Sequence, residues 1–183
     1  MSDDKTVLEK FYDVVEKNGD KTFMTQPLGG DKGLQTFSYN EVLTEAKKVA
    51  GYINSLGLPE NCQIAICSKN TAWWVITDLA IWMTGHVSVP VFPTLTADTT
   101  QFILEHSEAQ LLFIGKLDTA PWAEMKNGVP KGMKTVAMPL SPADHGCDKT
   151  WAEITASPPL ASPVRRKREE MSTIIYTSGS TGK

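Results

Sequence analysis

The chain has 183 residues, of which 18 are basic, 21 are acidic and 41% are apolar, and its net charge is -3. A chain of this length and apolar content can bury a hydrophobic core, which excludes general disorder. The 13 glycines and 11 prolines exclude collagen-like and low-complexity sequence. The mildly acidic balance argues against a general nucleic-acid-binding protein, because such proteins usually carry an excess of basic residues.

The cysteines and the N-terminus are typical of a cytoplasmic protein. The chain has 3 cysteines and no CxxC pair, which suggests neither a disulfide framework nor a zinc site. The polar N-terminus does not resemble a signal peptide, and the most apolar window, residues 72–84, is too short to span a bilayer. We therefore expect a cytoplasmic location, with peripheral membrane contact left open, and we predict no metal site.

Apolar spacing predicts two helices and a hairpin in the first part of the chain. Ser38 and Glu41 have the spacing of a capping box, and apolar residues then recur at helical spacing up to Gly57, which can end a helix. Glycines between two short apolar runs predict the hairpin. The predicted elements are a helix over residues 5–17, strands over 22–26 and 34–37, and a helix over 39–56.

Strands and helices then alternate along the chain. The predicted elements are strands at residues 63–68, 87–91 and 111–114, and helices at 71–84 and 97–106. Alternation through short connections indicates a parallel sheet with flanking helices, and continuously apolar strands fit burial on both faces. We therefore predict an α/β fold built from parallel-sheet units.

This alternation divides the chain into three regions. Residues 1–115 are expected to form an α/β subdomain, residues 116–171 an irregular connecting segment, and residues 172–183 a strand and the start of a loop. The connecting segment is expected to contain only short elements: a helix at 121–126, a strand at 134–138 and a turn of helix at 151–155.

The last residues combine glycines, hydroxyls and a lysine after an apolar strand at residues 173–176. Glycines let the backbone approach an anion and turn its N–H groups toward it, hydroxyls add donors, and a lysine adds charge. The spacing is not that of the common P-loop, which needs glycine where Thr177 stands. From spacing alone, phosphate binding and a flexible tail both stay open. The candidate phosphate-binding residues are Thr177, Ser178, Gly179, Ser180, Thr181, Gly182 and Lys183.

The segment Tyr176–Gly182 resembles the phosphate-binding signature of the adenylate-forming superfamily, which includes acyl-CoA synthetases, luciferases and peptide-synthetase adenylation domains. Lys183 falls at a variable position of that signature, so it is not given the role of the family's loop lysine. The segment Val91–Thr96 is similar to long-chain fatty acyl-CoA synthetases. Further segments that resemble the family are residues 37–41, 67–70, 85–90 and 103–107.

This resemblance implies a fold and an activity. The fold would be the first part of the large N-terminal domain of adenylate-forming enzymes. The enzyme would use ATP and Mg²⁺ to convert a long-chain fatty acid into an acyl-adenylate, and would then transfer the acyl group to coenzyme A. Residues 177–183 would bind the phosphates of ATP. No catalytic residue is assigned, because the family's acyl pocket, ribose-binding aspartate and catalytic lysine have no match in this sequence.

By the same resemblance the chain corresponds to an N-terminal portion of such an enzyme, and the isolated chain is expected to be inactive. An aryl acid or a short- or medium-chain acid is the alternative substrate within the family. Outside the family, the alternatives are a stand-alone nucleotide-binding module and a non-catalytic interaction domain.

The basic run Arg165–Arg168 contains all the arginines of the chain and is followed at once by Glu169 and Glu170. We interpret it as a solvated linker or the start of a helix. A nucleic-acid-binding patch is the alternative, but no aromatic residues interleave with the charges to stack on bases. No nucleic-acid partner is therefore expected.

Aromatic and titratable residues elsewhere are interpreted as structural. The apolar helix at residues 71–84 is expected to pack on the sheet, and contact with a fatty acid is the alternative for its three tryptophans: Trp73, Trp74 and Trp82. No Ser/His/Asp set can be assembled from the sequence order. We therefore expect structural roles, not catalytic ones, for His86, His106 and Cys67.

Overall fold

Helices and strands alternate along residues 5–177, which are the residues that the computed structural model describes. The helices are α1 (Val7–Asn18), α2 (Tyr39–Ser55), α3 (Ala72–Met83), α4 (Ala97–His106), α5 (Thr119–Met125) and α6 (Trp151–Thr155), with 3-10 turns at Gly30–Lys32 and Lys126–Gly128. The strands are β1 (Thr22–Pro27), β2 (Leu34–Ser38), β3 (Gln63–Cys67), β4 (Val87–Val91), β5 (Leu111–Ile114), β6 (Lys134–Ala137) and β7 (Lys149–Thr150).

The main sheet has 5 strands in the order β4-β3-β5-β6-β7. Every neighbouring pair in it is parallel. The strands β1 and β2 form a separate antiparallel hairpin. Both the α/β class and the parallel sheet predicted from the sequence are confirmed.

The start of α2 shows why its sequence forms a helix there. The Ser38 hydroxyl accepts a hydrogen bond from the Glu41 amide at 3.2 Å, and the Glu41 carboxylate accepts one from the Ser38 amide at 2.6 Å. This reciprocal pair satisfies amides that have no partner within the helix, and the predicted capping box is confirmed. The same box begins α1 at Thr6 and Glu9, where the sequence analysis did not single it out.

The central strands of the main sheet, β3 and β5, are buried on both faces, and alternate residues enter two different cores. In β3, Ile64 and Ile66 pack with helices α2 and α3 in one core, whereas Ala65 and Cys67 face the other core with α4. Strands buried on both faces explain the continuously apolar segments in the sequence. The interpretation of α3 as a core helix is also confirmed, since most of its residues are buried.

The connecting segment contributes to this same sheet. The helix α5, the strand β6 and the helix α6 confirm the three short elements predicted within it. In addition, β6 pairs with β5 and β7 pairs with β6. The division of the chain at residue 115 stays a prediction, although the sheet continues past that point.

Candidate functional site

The end of the described chain runs along the free side of β4. The Ser88 amide donates to the Ser172 carbonyl at 3.0 Å, and the Ile174 amide donates to the Ser88 carbonyl at 2.9 Å. These bonds form a parallel bridge between Ser88 and Thr173. The strand predicted at residues 173–176 is therefore present only as a single bridge and not as a ladder of its own.

This parallel pairing sets the direction of the segment that leads to the candidate phosphate-binding loop. From Thr173, opposite Ser88, the chain runs parallel to β4, whose carboxyl end is Val91, and Thr177 is the last described residue. Ligands of open α/β sheets bind outside the carboxyl ends of the strands. Thr177 is exposed. The other candidate residues, Ser178, Gly179, Ser180, Thr181, Gly182 and Lys183, lie outside the described residues.

Side chains anchor the same segment to α4. The Tyr176 hydroxyl lies 2.7 Å from His106 Nδ1, and the two rings meet edge to face. Phe102 contacts the Tyr176 ring in the same way. Ile175 points to the opposite side and is 66% exposed. The structural role expected for His106 is therefore the one observed, because it holds the residue just before the loop.

Arg166 is a second anchor and corrects the sequence interpretation of the basic run. A solvated linker was expected, but Arg166 is buried, with its guanidinium donating to the carbonyls of His86 and Met171. Its Nε also lies 3.5 Å from the Glu170 carboxylate. A buried charge needs such partners, and the two carbonyls bind the terminal nitrogens, whereas Nε has the Glu170 carboxylate nearby but no hydrogen-bond partner among residues 5–177. The neighbouring Arg165 is exposed, as expected.

A buried polar chain connects α3 to the terminal segment. The Ser88 and Thr173 hydroxyl oxygens are 3.1 Å apart, and Ser88 also donates a hydrogen bond to the Asp78 carboxylate. Burial raises the pKa of Asp78 to about 6, and the hydrogen bond from Ser88 opposes part of that rise. Trp82, one turn further along α3, donates its indole N–H to the Ser172 carbonyl at 2.9 Å. Both α3 residues thus face the segment that leads to the loop.

The strand order reverses between β3 and β5, and such a point is a second possible position for a ligand. In this protein, the loops that follow β3 and β5 fill it. The Lys116 amide donates to the Ser68 hydroxyl at 2.9 Å, and the Lys69 amide donates to the Lys116 carbonyl at 2.9 Å. The Lys69 ammonium lies 2.7 Å from the Asp118 carboxylate. A crevice at such a reversal is a common ligand site, but here the two loops bond directly to each other.

Cys62 and His86 are close together without forming a reactive pair. The Cys62 sulfur lies 3.4 Å from His86 Nδ1, and both residues are buried. Burial raises the pKa of Cys62 to about 11 and lowers the pKa of His86, so both side chains stay neutral near pH 7. A neutral thiol is a poor nucleophile, which agrees with the structural role expected for His86.

Residues 5–177 contain neither a cluster of metal ligands nor a helix that could span a membrane. None of those residues belongs to a group of 3 or more His, Cys, Asp or Glu side chains placed to hold a metal ion. Across the same range, every helix is too short or too polar to cross a membrane.

Comparison with known proteins identifies the family. Residues 11–183 match the family model described as AMP-binding enzyme. The chain belongs to this family of AMP-binding enzymes. The relatives include long chain acyl-CoA synthetase 2 of Arabidopsis thaliana, 24% identical over 186 residues, which cover 94% of this chain and 28% of the relative. Nonribosomal peptide synthetase 4 of Gibberella zeae is 26% identical over 146 residues, covering 80% of this chain and 2% of the relative.

A solved structure shares the fold of this AMP-binding enzyme chain. The anthranilate CoA ligase AuaEII, crystallised in complex with anthranoyl-AMP, matches with a TM-score of 0.81 at 18% identity. The match covers 97% of this chain and 33% of the ligase chain. The chain thus spans about a third or less of the proteins it matches, and its fold is that of the first part of the N-terminal domain of adenylate-forming enzymes.

The sequence predicted a phosphate-binding loop for this AMP-binding enzyme, and the loop stays a prediction, but the residues that hold the segment leading to it were missed. Arg166 lies in a run of like charges, and Asp78 lies in an otherwise apolar helix. One signal was available for Asp78, because a carboxylate within an otherwise apolar helix usually needs a polar partner. The burial of Arg166 depends on a carbonyl 80 residues away in the sequence and carries no local signal.

Proposed function

We propose that this chain forms the N-terminal part of an AMP-forming acyl-CoA synthetase that acts on a long-chain fatty acid. The observation that carries the proposal is the parallel bridge between Ser88 and Thr173. It makes the chain run parallel to β4 just before the Gly/Ser/Thr-rich segment, toward the carboxyl end of the sheet, and α/β proteins bind ligands at that end. Membership of the AMP-binding family supports a nucleotide as that ligand.

The proposed reaction has two steps. In the first, the fatty-acid carboxylate attacks the α-phosphorus of ATP, the bond to the bridging oxygen breaks, and pyrophosphate leaves. In the second, the thiol of coenzyme A attacks the acyl carbon, loses its proton, and displaces AMP to form the thioester. Within this scheme the chain's contribution is to hold the outer phosphates of ATP, so that the α-phosphorus is presented to the carboxylate.

The residue types of the loop suit this role. Gly179 and Gly182 lack side chains that would keep the backbone amides away from the phosphate oxygens, and the hydroxyls from Thr177 to Thr181 add neutral donors. Lys183 adds positive charge next to them. Mg²⁺, when bound, would neutralise phosphate charge.

The choice of a long-chain acid rests on a similarity in sequence. The segment Val91–Thr96 is similar to long-chain enzymes, and a long chain acyl-CoA synthetase is among the relatives. The anthranilate CoA ligase supports an aryl acid as the alternative substrate. The cytoplasmic location, with peripheral membrane contact left open, stays a prediction from the sequence.

A substrate panel tests the proposed function. The full-length gene product is assayed for thioester formation from ATP, coenzyme A and either palmitate or benzoate. We expect palmitate to be preferred by at least about tenfold in kcat/KM, since each methylene in an apolar pocket contributes on the order of 1 kcal/mol. The 183-residue chain assayed alone is the control and is expected to form no product. A preference for benzoate would show that the substrate is an aryl acid and not a fatty acid. Product formed by the 183-residue chain alone would refute the expected inactivity of that chain.

A further inference from the structure

The segment that leads to the loop is attached to the sheet by very little backbone pairing. One bridge, with the amides of Ser88 and Ile174 as donors, joins it to β4. Side chains of a strand alternate with a period of two residues, so a slide by two residues would preserve the alternation. Such a slide would move the start of the loop by about 6.6 Å along the sheet. Backbone pairing alone therefore sets the position of the loop weakly.

Arg166 contacts both the sheet and the segment. One terminal nitrogen donates to the carbonyl of His86, immediately before β4, and the other donates to the carbonyl of Met171, immediately before the bridged residues. The side chain is 5% exposed, and the Glu170 carboxylate lies beside its Nε. A rigid planar guanidinium that donates to two fixed carbonyls holds them at a defined separation. Met171 lies five residues after Arg166 in the same segment, whereas His86 belongs to the sheet, so after a slide by two residues Arg166 would no longer reach both carbonyls.

We propose that Arg166 is a positioning residue for the phosphate-binding loop, because it bridges the His86 and Met171 carbonyls and so fixes the register of the terminal segment on β4. The role in nucleotide binding rests on the proposed function above. The register itself is a property of the described residues and can be tested separately.

The chain offers a matched control at the next residue. Arg165 has the same charge, lies in the same run and is exposed. Truncation of either arginine removes one positive charge from this region, but only Arg166 holds the two carbonyls. Arg166→Lys keeps the charge and can reach only one carbonyl at a time, because an ammonium is a compact point charge.

The first experiment measures amide hydrogen exchange by NMR in the 183-residue chain. We expect Arg166→Ala to lower the protection of the Ile174 amide at least ~10-fold relative to amides of β3, because two charge-assisted bonds are lost. The protection of the Ile174 amide in Arg166→Lys should lie between that in Arg166→Ala and that in wild type. In Arg165→Ala it should equal the wild-type value. Unchanged Ile174 protection in Arg166→Ala, or equal losses in both alanine variants, would overturn the proposal. If Arg166→Ala does not fold, Arg166→Lys takes its place. Unchanged Ile174 protection in Arg166→Lys, or a loss equal to that in Arg165→Ala, would then overturn the proposal.

The second experiment measures ATP–pyrophosphate exchange in the full-length gene product. We expect Arg166→Ala to raise the KM for MgATP about 10-fold and to leave the KM for the carboxylate unchanged, because a displaced loop reduces the fraction of competent enzyme. Arg165→Ala should match wild type. A KM for MgATP that is unchanged despite lost Ile174 protection would refute the positioning role. Absence of exchange in wild type would refute the proposed function instead, and the register would still be judged by hydrogen exchange.

Discussion

Asp78 has an ionisable carboxylate in a place where water cannot solvate it. It is buried in α3, and its Oδ1 has no hydrogen-bond partner among residues 5–177. Burial raises its pKa from 3.8 to about 6. Lys10 and Tyr39 line the same groove, and neither is among the causes of this shift. Because the folded-state pKa is raised, the native state binds this proton more tightly than the unfolded state does, and stability falls as pH rises from about 4 to 6.

We therefore expect Asp78→Asn to stabilise the chain at pH 8 by up to about 3 kcal/mol, since a shift of one pKa unit corresponds to 1.36 kcal/mol. At pH 3.5 the difference from wild type should nearly vanish, because both side chains are then neutral. Urea unfolding at the two pH values measures this. Asp31→Asn, at an exposed position between β1 and β2, is the control and should leave the pH profile unchanged. Equal stabilities of wild type and Asp78→Asn at pH 8 would contradict the account.

At the scale of elements, α2 shows where local rules hold and where packing overrides them. Its capping box and apolar stripe follow from the sequence, and the structure confirms both. Gly51 within α2 breaks the propensity rule, because glycine weakens a helix interior by about 1 kcal/mol relative to alanine. The chain returns there after α6. A Cβ at Gly51 would lie 2.0 Å from the Pro158 carbonyl oxygen, and the nearby Leu160 amide donates to the Lys47 carbonyl.

Gly51→Ala is accordingly expected to destabilise the chain by about 1–3 kcal/mol, the usual range for overpacking, instead of stabilising it. The measurement is the free energy of unfolding in urea. Asn54→Ala, at an exposed position in the same helix, serves as the control and should change stability by no more than about 0.5 kcal/mol. A gain in stability for Gly51→Ala would show that the segment around Pro158 does not pack against α2.

Element boundaries were largely predictable because their signals are local. Thr96 caps α4 from the position just before the predicted helix, and Gly57, which was predicted to end α2, has a positive φ just after it. The boxes at Thr6 with Glu9 and at Thr150 with Glu153 have the same sequence pattern as the one that was predicted, so the same rule would have found them. The length of the terminal strand was predicted wrongly, because a single bridge stands where a strand over residues 173–176 was expected. Its β-branched residues indicate strand propensity, but they do not show how many of its residues pair with a neighbouring strand.

For the whole molecule, the sequence predicted parallel pairing but not the order of the strands. Alternating strands and helices imply crossovers, whereas the order β4-β3-β5-β6-β7 depends on which face each crossover helix covers. The candidate site shows the same limit. Its glycines and hydroxyls were visible as a motif, but the contact between Ser88 and Thr173 joins residues that are 85 apart in the sequence. The position of the segment that leads to the loop, next to β4, could therefore be found only from the tertiary structure.

We propose that the loop after Tyr176 holds the phosphates of ATP during carboxylate activation. Carboxylate-dependent ATP–pyrophosphate exchange by the full-length gene product tests it most directly, in wild type, in Gly182→Val and in the exposed control Ser162→Val. We predict exchange in wild type and in the control, and a loss of at least about 100-fold in Gly182→Val, where a branched side chain keeps the backbone from the phosphates. Exchange by Gly182→Val at the wild-type rate, or no exchange by wild type with any carboxylate, would refute the proposed role of the loop in binding ATP.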